Sequence, residues 1–153
     1  RWPNALLGVA TACYTAFLFG QCEGRDLWQG KALLPHLFVQ AAACGAVVLA
    51  PLSSTPKTIA MVAIIGLVLH AAFAAWERLG PHHTENARQG AAFMGVVKWL
   101  GMPAFLSGLV VGVVGAAALL FTPLAPLAFI PALVGLYAYE WSYVRGGQLP
   151  PLS

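Results

Sequence analysis

Charge is what this sequence has least of. Asp, Glu, Lys and Arg together make up 8% of its 153 residues, against about 25% in soluble globular domains. So few charges cannot cover the surface of a folded chain, and lipid is expected to cover it instead. The basic residues sit singly between apolar runs and form no stripe, which excludes a nucleic-acid binder. Cysteine is scarce too. Cys13, Cys22 and Cys44 include no CxxC pair, so a disulfide framework or an iron–sulfur site within the chain is not expected, and they read as small packing residues. The sequence lacks an HxxxH pair for haem, a Walker loop and a Ser/His/Asp pattern. It also lacks a signal-peptide pattern and opens on Arg1 with an apolar segment already long enough to span a bilayer. It is therefore expected to be a fragment or a processed chain, forming a single transmembrane bundle over residues 1–153.

What is abundant is apolar length. Hydrophobic residues make up 59% of the chain. A bilayer core of about 30 Å takes roughly 20 helical residues, and five stretches approach that. They run from about Asn4 to Gly20, Ala32 to Ala50, Thr58 to Trp76, Val96 to Phe121 and Leu124 to Val144. The fold class expected is thus all-α integral membrane, a bundle of about five transmembrane helices. The run Thr122-Pro123-Leu124-Ala125-Pro126 separates the last two stretches, since proline removes a donor and clashes with the preceding turn. Pro103 and Pro131 predict a kink or a late helix start. Between Leu79 and Gly95 the loop turns polar, and Thr84 ahead of Glu85 predicts the N-cap of a short interfacial helix.

With five spans, Arg25, Lys31, Arg78, Arg88, Lys98 and Arg145 fall near one face and Arg1 and Lys57 near the other. That bias places the first face in the cytoplasm, with the N-terminus outside. Small-residue stripes at Gly108-Gly112-Gly115, Ala41-Gly45 and Ala71-Ala75 predict close helix packing within the bundle.

Ionisable residues at membrane depth usually face a bundle interior, a cavity or a partner. His70 and Glu77 lie seven residues apart, about two turns, on roughly one helix face. They are candidates for a quinone contact or a proton path, His70 being the deeper. Glu140, between Tyr139 and Trp141, is a third candidate beside an aromatic belt of Tyr137, Trp141 and Tyr143. His36, just after Pro35, reads as interfacial. The loop holding Arg25, Asp26 and Trp28 is the densest charge cluster and a candidate for docking a partner. His82-His83 with Glu85 is not expected to hold metal, because adjacent helical residues point about 100° apart.

Two stretches carry a family resemblance. One reads Tyr14-Thr15-Ala16-Phe17-Leu18, then Arg25-Asp26-Leu27-Trp28, then Leu34-Pro35-His36-Leu37-Phe38 with Ala43-Cys44-Gly45-Ala46. The other is the end, Glu140-Trp141-Ser142-Tyr143-Val144-Arg145-Gly146-Gly147-Gln148 and Pro150-Pro151-Leu152-Ser153. Together with Glu77-Arg78 they resemble the C-terminal half of the NrfD/PsrC family, the membrane subunits of polysulfide-reductase-like complexes and of alternative complex III. The resemblance implies a multi-pass, haem-free anchor in a bacterial inner (cytoplasmic) membrane. Such an anchor exchanges electrons between a quinone (menaquinone or ubiquinone) and iron–sulfur clusters in a partner subunit, beside a molybdopterin-type or cytochrome subunit. The missing N-terminal bundle would hold most of the quinone pocket, leaving this half to support it or to conduct protons. Arg25, Asp26, Trp28, His70, Glu77 and Glu140 carry the resemblance at residue level. A purely structural anchor or assembly subunit is the alternative expectation, and half of a small-solute transporter a third.

Overall fold

Each of the five apolar stretches contains a helix. The computed structural model describes residues 2–152. Helix α1 spans Trp2–Gly20, α2 Leu33–Leu49, α3 Pro56–Leu79, α4 Glu85–Met94, α5 Ala104–Leu120 and α6 Phe129–Gln148. Three of these, α1, α3 and α2 extended by a tight turn to Leu52, are long and apolar enough to cross a membrane. The five expected spans reduce to these three by length and composition. Helix α5 is apolar but shorter, and α6 has the length but carries Glu140 and Arg145 among its aromatics.

The reasons for the boundaries are local. Residues 96–103 were expected to open the fourth span. Instead they form a small antiparallel hairpin, with Lys98 opposite Pro103 and Trp99 opposite Met102. Its tip turns through Leu100 and Gly101 at φ 49° and 81°, and the helix starts only after Pro103, the late start that proline favours. Pro131 likewise sits in the first turn of α6, where its missing N–H breaks no helical bond. Helix α4 begins where the sequence places it: Thr84 Oγ1 accepts from the Ala87 amide at 3.1 Å.

Packing follows close backbone approach more than large side chains. Gly108 and Gly112 of α5 face Gly135 of α6. A Cβ on Gly108 would lie 2.8 Å from the Gly135 carbonyl, and one on Gly135 would overlap the Gly112 backbone. Between α2 and α3 the tight point is Gly66 against Ala43, 2.8 Å from Cβ to Cβ were Gly66 an alanine. The stripe expected at Ala41 and Gly45 does not serve, since Gly45 faces open space. The core has two parts. An alanine-rich part joins Ala43, Ala46, Val47, Ala63, Leu67, Ala116 and Ala132. An aromatic part joins Leu27, Trp28, Met94, Phe105, Tyr139 and Tyr143.

One end of the bundle collects the polar loops. Arg25 Nη1 donates to the carbonyls of Gly147, Gln148 and Pro150 at 3.3, 2.7 and 2.7 Å. Asn86 Nδ2 donates to the Pro151 carbonyl at 2.6 Å, and Thr84 Oγ1 to Asp26 at 2.5 Å. The hairpin is pinned to α6 by Trp141 Nε1, which donates to the Lys98 carbonyl at 3.1 Å.

Replacing Gly135 with Ala should force α5 and α6 apart, at about the 1–3 kcal/mol typical of overpacking. Gly45→Ala, in open space, should leave stability unchanged or raise it. Thermal unfolding of both variants in detergent micelles separates the cases, and equal Tm values would refute the packing account.

Candidate functional site

Three helices each place a polar residue in the interior between the alanine-rich and aromatic parts of the core. On α2, His36 and Gln40 are one turn apart and share a face. On α3, His70 and Glu77 share a face two turns apart. On α6 the residue is Tyr139. All five side chains are buried, His36 to 1% exposure and Glu77 to 7%.

The cluster is built around the His36 imidazole. Its Nδ1 lies 2.9 Å from Glu77 Oε2, and its Nε2 lies 2.8 Å from His70 Nδ1. Tyr139 donates its hydroxyl proton to the same Glu77 oxygen in a short hydrogen bond. Gln40 Nε2 approaches His36 Nε2 at 3.4 Å and also reaches the Glu140 carboxylate. The rings are held on both sides. Phe73 stacks on His36 with centroids 5.3 Å apart and planes 20° apart, and Tyr139 meets His70 edge-on at 5.0 Å. Tyr139 is itself set by the close α5–α6 contact, since Gly108 packs against its backbone amide.

Both ends of this chain of groups meet a cavity. Glu77 lines a cleft of about 410 Å³ on the polar end, with Asp26, Lys31, Trp76, His82 and His83. Its second oxygen, Oε1, is buried with no hydrogen-bond partner among the described residues. His70 and Gln40 line a cavity of about 10 Å³ with Cys44, Gly112 and Leu136, near the lower limit for a single water. Gly112 belongs to a π-helical segment of α5, Val110–Gly115, a type of distortion that is frequent at functional sites.

Two proton arrangements satisfy the histidine contacts. In one, protonated Glu77 donates to His36 Nδ1, and His36 Nε2–H donates to His70 Nδ1. In the other, His70 Nδ1–H donates to His36 Nε2, and His36 Nδ1–H donates to the Glu77 carboxylate. Passing from the first to the second moves one proton from Glu77 to His36 Nδ1 and another from His36 Nε2 to His70 Nδ1. The proton on the far nitrogen of His70 would then pass to a water in the small cavity beside it, and no heavy atom of the cluster moves. The geometry suits a two-imidazole proton relay. Direct contact between the two rings also leaves no space for a metal between them. Among the described residues no group of three His, Cys, Asp or Glu is placed to hold a metal ion.

No family model, curated protein or solved structure matches the chain. Its site is therefore read from its own geometry.

His70 and Glu77 are brought together as their spacing implies, through a third residue that the sequence misplaces. His36, read as interfacial, is buried at 1% exposure and is the hub of the cluster, and His70 is buried beside it. Tyr143, read as part of an aromatic belt, is buried with its hydroxyl on the Leu27 carbonyl at 3.1 Å. Glu140 joins only at the margin, through Gln40. The loop residues Arg25, Asp26 and Trp28 are engaged within the chain: Arg25 on the C-terminal carbonyls, Asp26 by Thr84, and Trp28 buried with Nε1 on the Tyr143 carbonyl at 3.4 Å. The signal for His36 and Gln40 was present as an i, i+4 polar pair facing inward. Nothing in the pattern distinguished Tyr139 from its aromatic neighbours.

A double-mutant cycle of His36→Ala and Glu77→Ala should give a coupling of about 1 kcal/mol or more, read from unfolding midpoints in detergent. Additive losses would mean that the two side chains adjoin without interacting.

Proposed function

We propose that this chain is a membrane-embedded helical subunit of a quinone-linked redox complex, in which Glu77, His36 and His70 relay protons that accompany quinone oxidation or reduction. The observation that carries this reading is the unbroken relay at 2.8–2.9 Å steps, with a cavity at each end. The membrane part rests on three helices of spanning length and on their outward faces. Helix α1 buries no residue, and α3 turns Met61, Val62, Ile65, Val68 and Leu69 outward. Buried titratable groups in such a bundle are expensive and mark ion or proton paths more often than they serve packing.

The quinone part rests on the resemblance to the NrfD/PsrC family and on chemistry. Quinone reduction takes up protons along with electrons, and the chain offers side chains for the former. Electrons would come from iron–sulfur clusters of a partner subunit docked at the polar end, where Arg25, Lys31, Arg78, Arg88 and Lys98 gather. That end would face the cytoplasm of a bacterium, by the distribution of basic residues. A further bundle of the same complex would contribute most of the quinone pocket. A second reading, a structural anchor, is favoured by one observation: the same hydrogen bonds tie α2, α3 and α6 together and would hold the bundle without moving a proton.

Turnover with a water-soluble quinol by the assembled complex separates the two. His36→Ala and Glu77→Gln should each slow it by about 10²-fold or more, with the complex intact on gel filtration. Intact complexes at unchanged rate would leave the network with the structural role only.

A further inference from the structure

We propose that the notch between the C-terminal end of α3 and helix α4 binds the phosphate of an anionic phospholipid headgroup, with Arg78 as its principal ligand. The notch encloses about 510 Å³ and is lined by Arg78, Arg88, His82, Leu79 and Ala92 among others, with no carboxylate on its wall. Arg78 stands without an ion pair among the described residues. Its guanidinium lies 5.3 Å over the Phe105 ring and against Gly95, where a side chain would overlap it. Its Nε is buried with no acceptor, and so is Nε2 of His82 on the same wall. The unpaired Arg78 guanidinium and the His82 imidazole on the same wall are donors of the kind a phosphate oxygen accepts from. Arg88 is less available, since Glu85 takes it at 2.7 Å, and so it adds little net charge.

The depth of the notch favours lipid over other anions. Helix α3 has 24 residues, about 36 Å at 1.5 Å per residue, so its ends reach the headgroup layers of a bilayer about 30 Å thick in its core. Trp76, at 58% exposure, marks that level as an interfacial tryptophan does. Leu79, at 72% exposure, offers an apolar flank for an acyl chain beside the phosphate.

This inference rests on the membrane reading and is independent of the quinone reading. The test uses the full chain extracted from membranes in maltoside, delipidated, and offered equal phosphatidylglycerol and phosphatidylcholine before native mass spectrometry. Retention should favour phosphatidylglycerol by about fivefold, as one uncompensated basic residue at a membrane surface implies. Arg78→Gln should bring the two lipids to parity. Ala92→Glu should do the same with Arg78 still in place, and it decides the matter if Arg78→Gln does not fold. Selectivity that survives both variants, or that the parent chain lacks, overturns the proposal. Displacement of the lipid by millimolar inorganic phosphate overturns it in favour of a free-anion site. A co-purifying acidic protein released by Arg78→Gln, with no lipid selectivity, overturns it in favour of a protein contact. A chain that never fractionates with membranes fails the membrane reading itself, a result distinct from all of these.

Discussion

The structure depends on one imidazole. Among the described residues His36 hydrogen-bonds both of the buried ionisable side chains of α3, Glu77 and His70, and it does so from a different helix. In an apolar interior an unpartnered acceptor or donor costs about 1–3 kcal/mol, and more if it is charged. Glu77 and His70 on one face of α3 therefore require a partner helix that supplies a matching group at the right height. His36 supplies it, and the requirement fixes the register of α2 against α3. Tyr139 adds the third helix by donating to the same carboxylate. Glycine contacts set how near the helices come, and the polar cluster sets how far each slides along the next.

That division of labour explains what could be read from the sequence. Apolar length and proline position give the helices and their order, because both act locally: Pro103 and the Thr122–Pro126 run break the chain where they stand. Thr84 is legible as a cap for the same reason. His70 and Glu77 are legible as a pair because helical periodicity alone puts them on one face. His36 is not, because its depth depends on where α2 docks, which is a property of two helices. The hairpin at 98–103 is invisible to hydropathy, since Val96, Val97, Trp99, Leu100 and Met102 are as apolar as the helix that follows. Its cause lies in the backbone, in the turn at Leu100 and Gly101.

The charged loop was legible as a cluster, but not for what its arginine does inside the chain. A dense group of charges suggests a surface for another protein, yet Arg25 closes the bundle on itself by gathering three carbonyls where α6 ends. Carbonyls at a helix C-terminus have no partners inside the helix and carry partial negative charge, so a guanidinium there meets a need internal to the fold.

The stacking of Phe73 on His36 has a bearing on direction. A relay through an imidazole resets in one of two ways: the ring turns over, or the protons go back as they came. Turning the ring would break both of its short contacts and the stack at once. The return journey breaks nothing. A relay that resets by that return carries no net flux, so a second proton in the same direction requires the His36 ring to turn over or to exchange its proton by another route. Any vectorial transport through this chain would then be limited by that turn and driven from the ends, by whatever raises proton affinity beside His70 or lowers it beside Glu77.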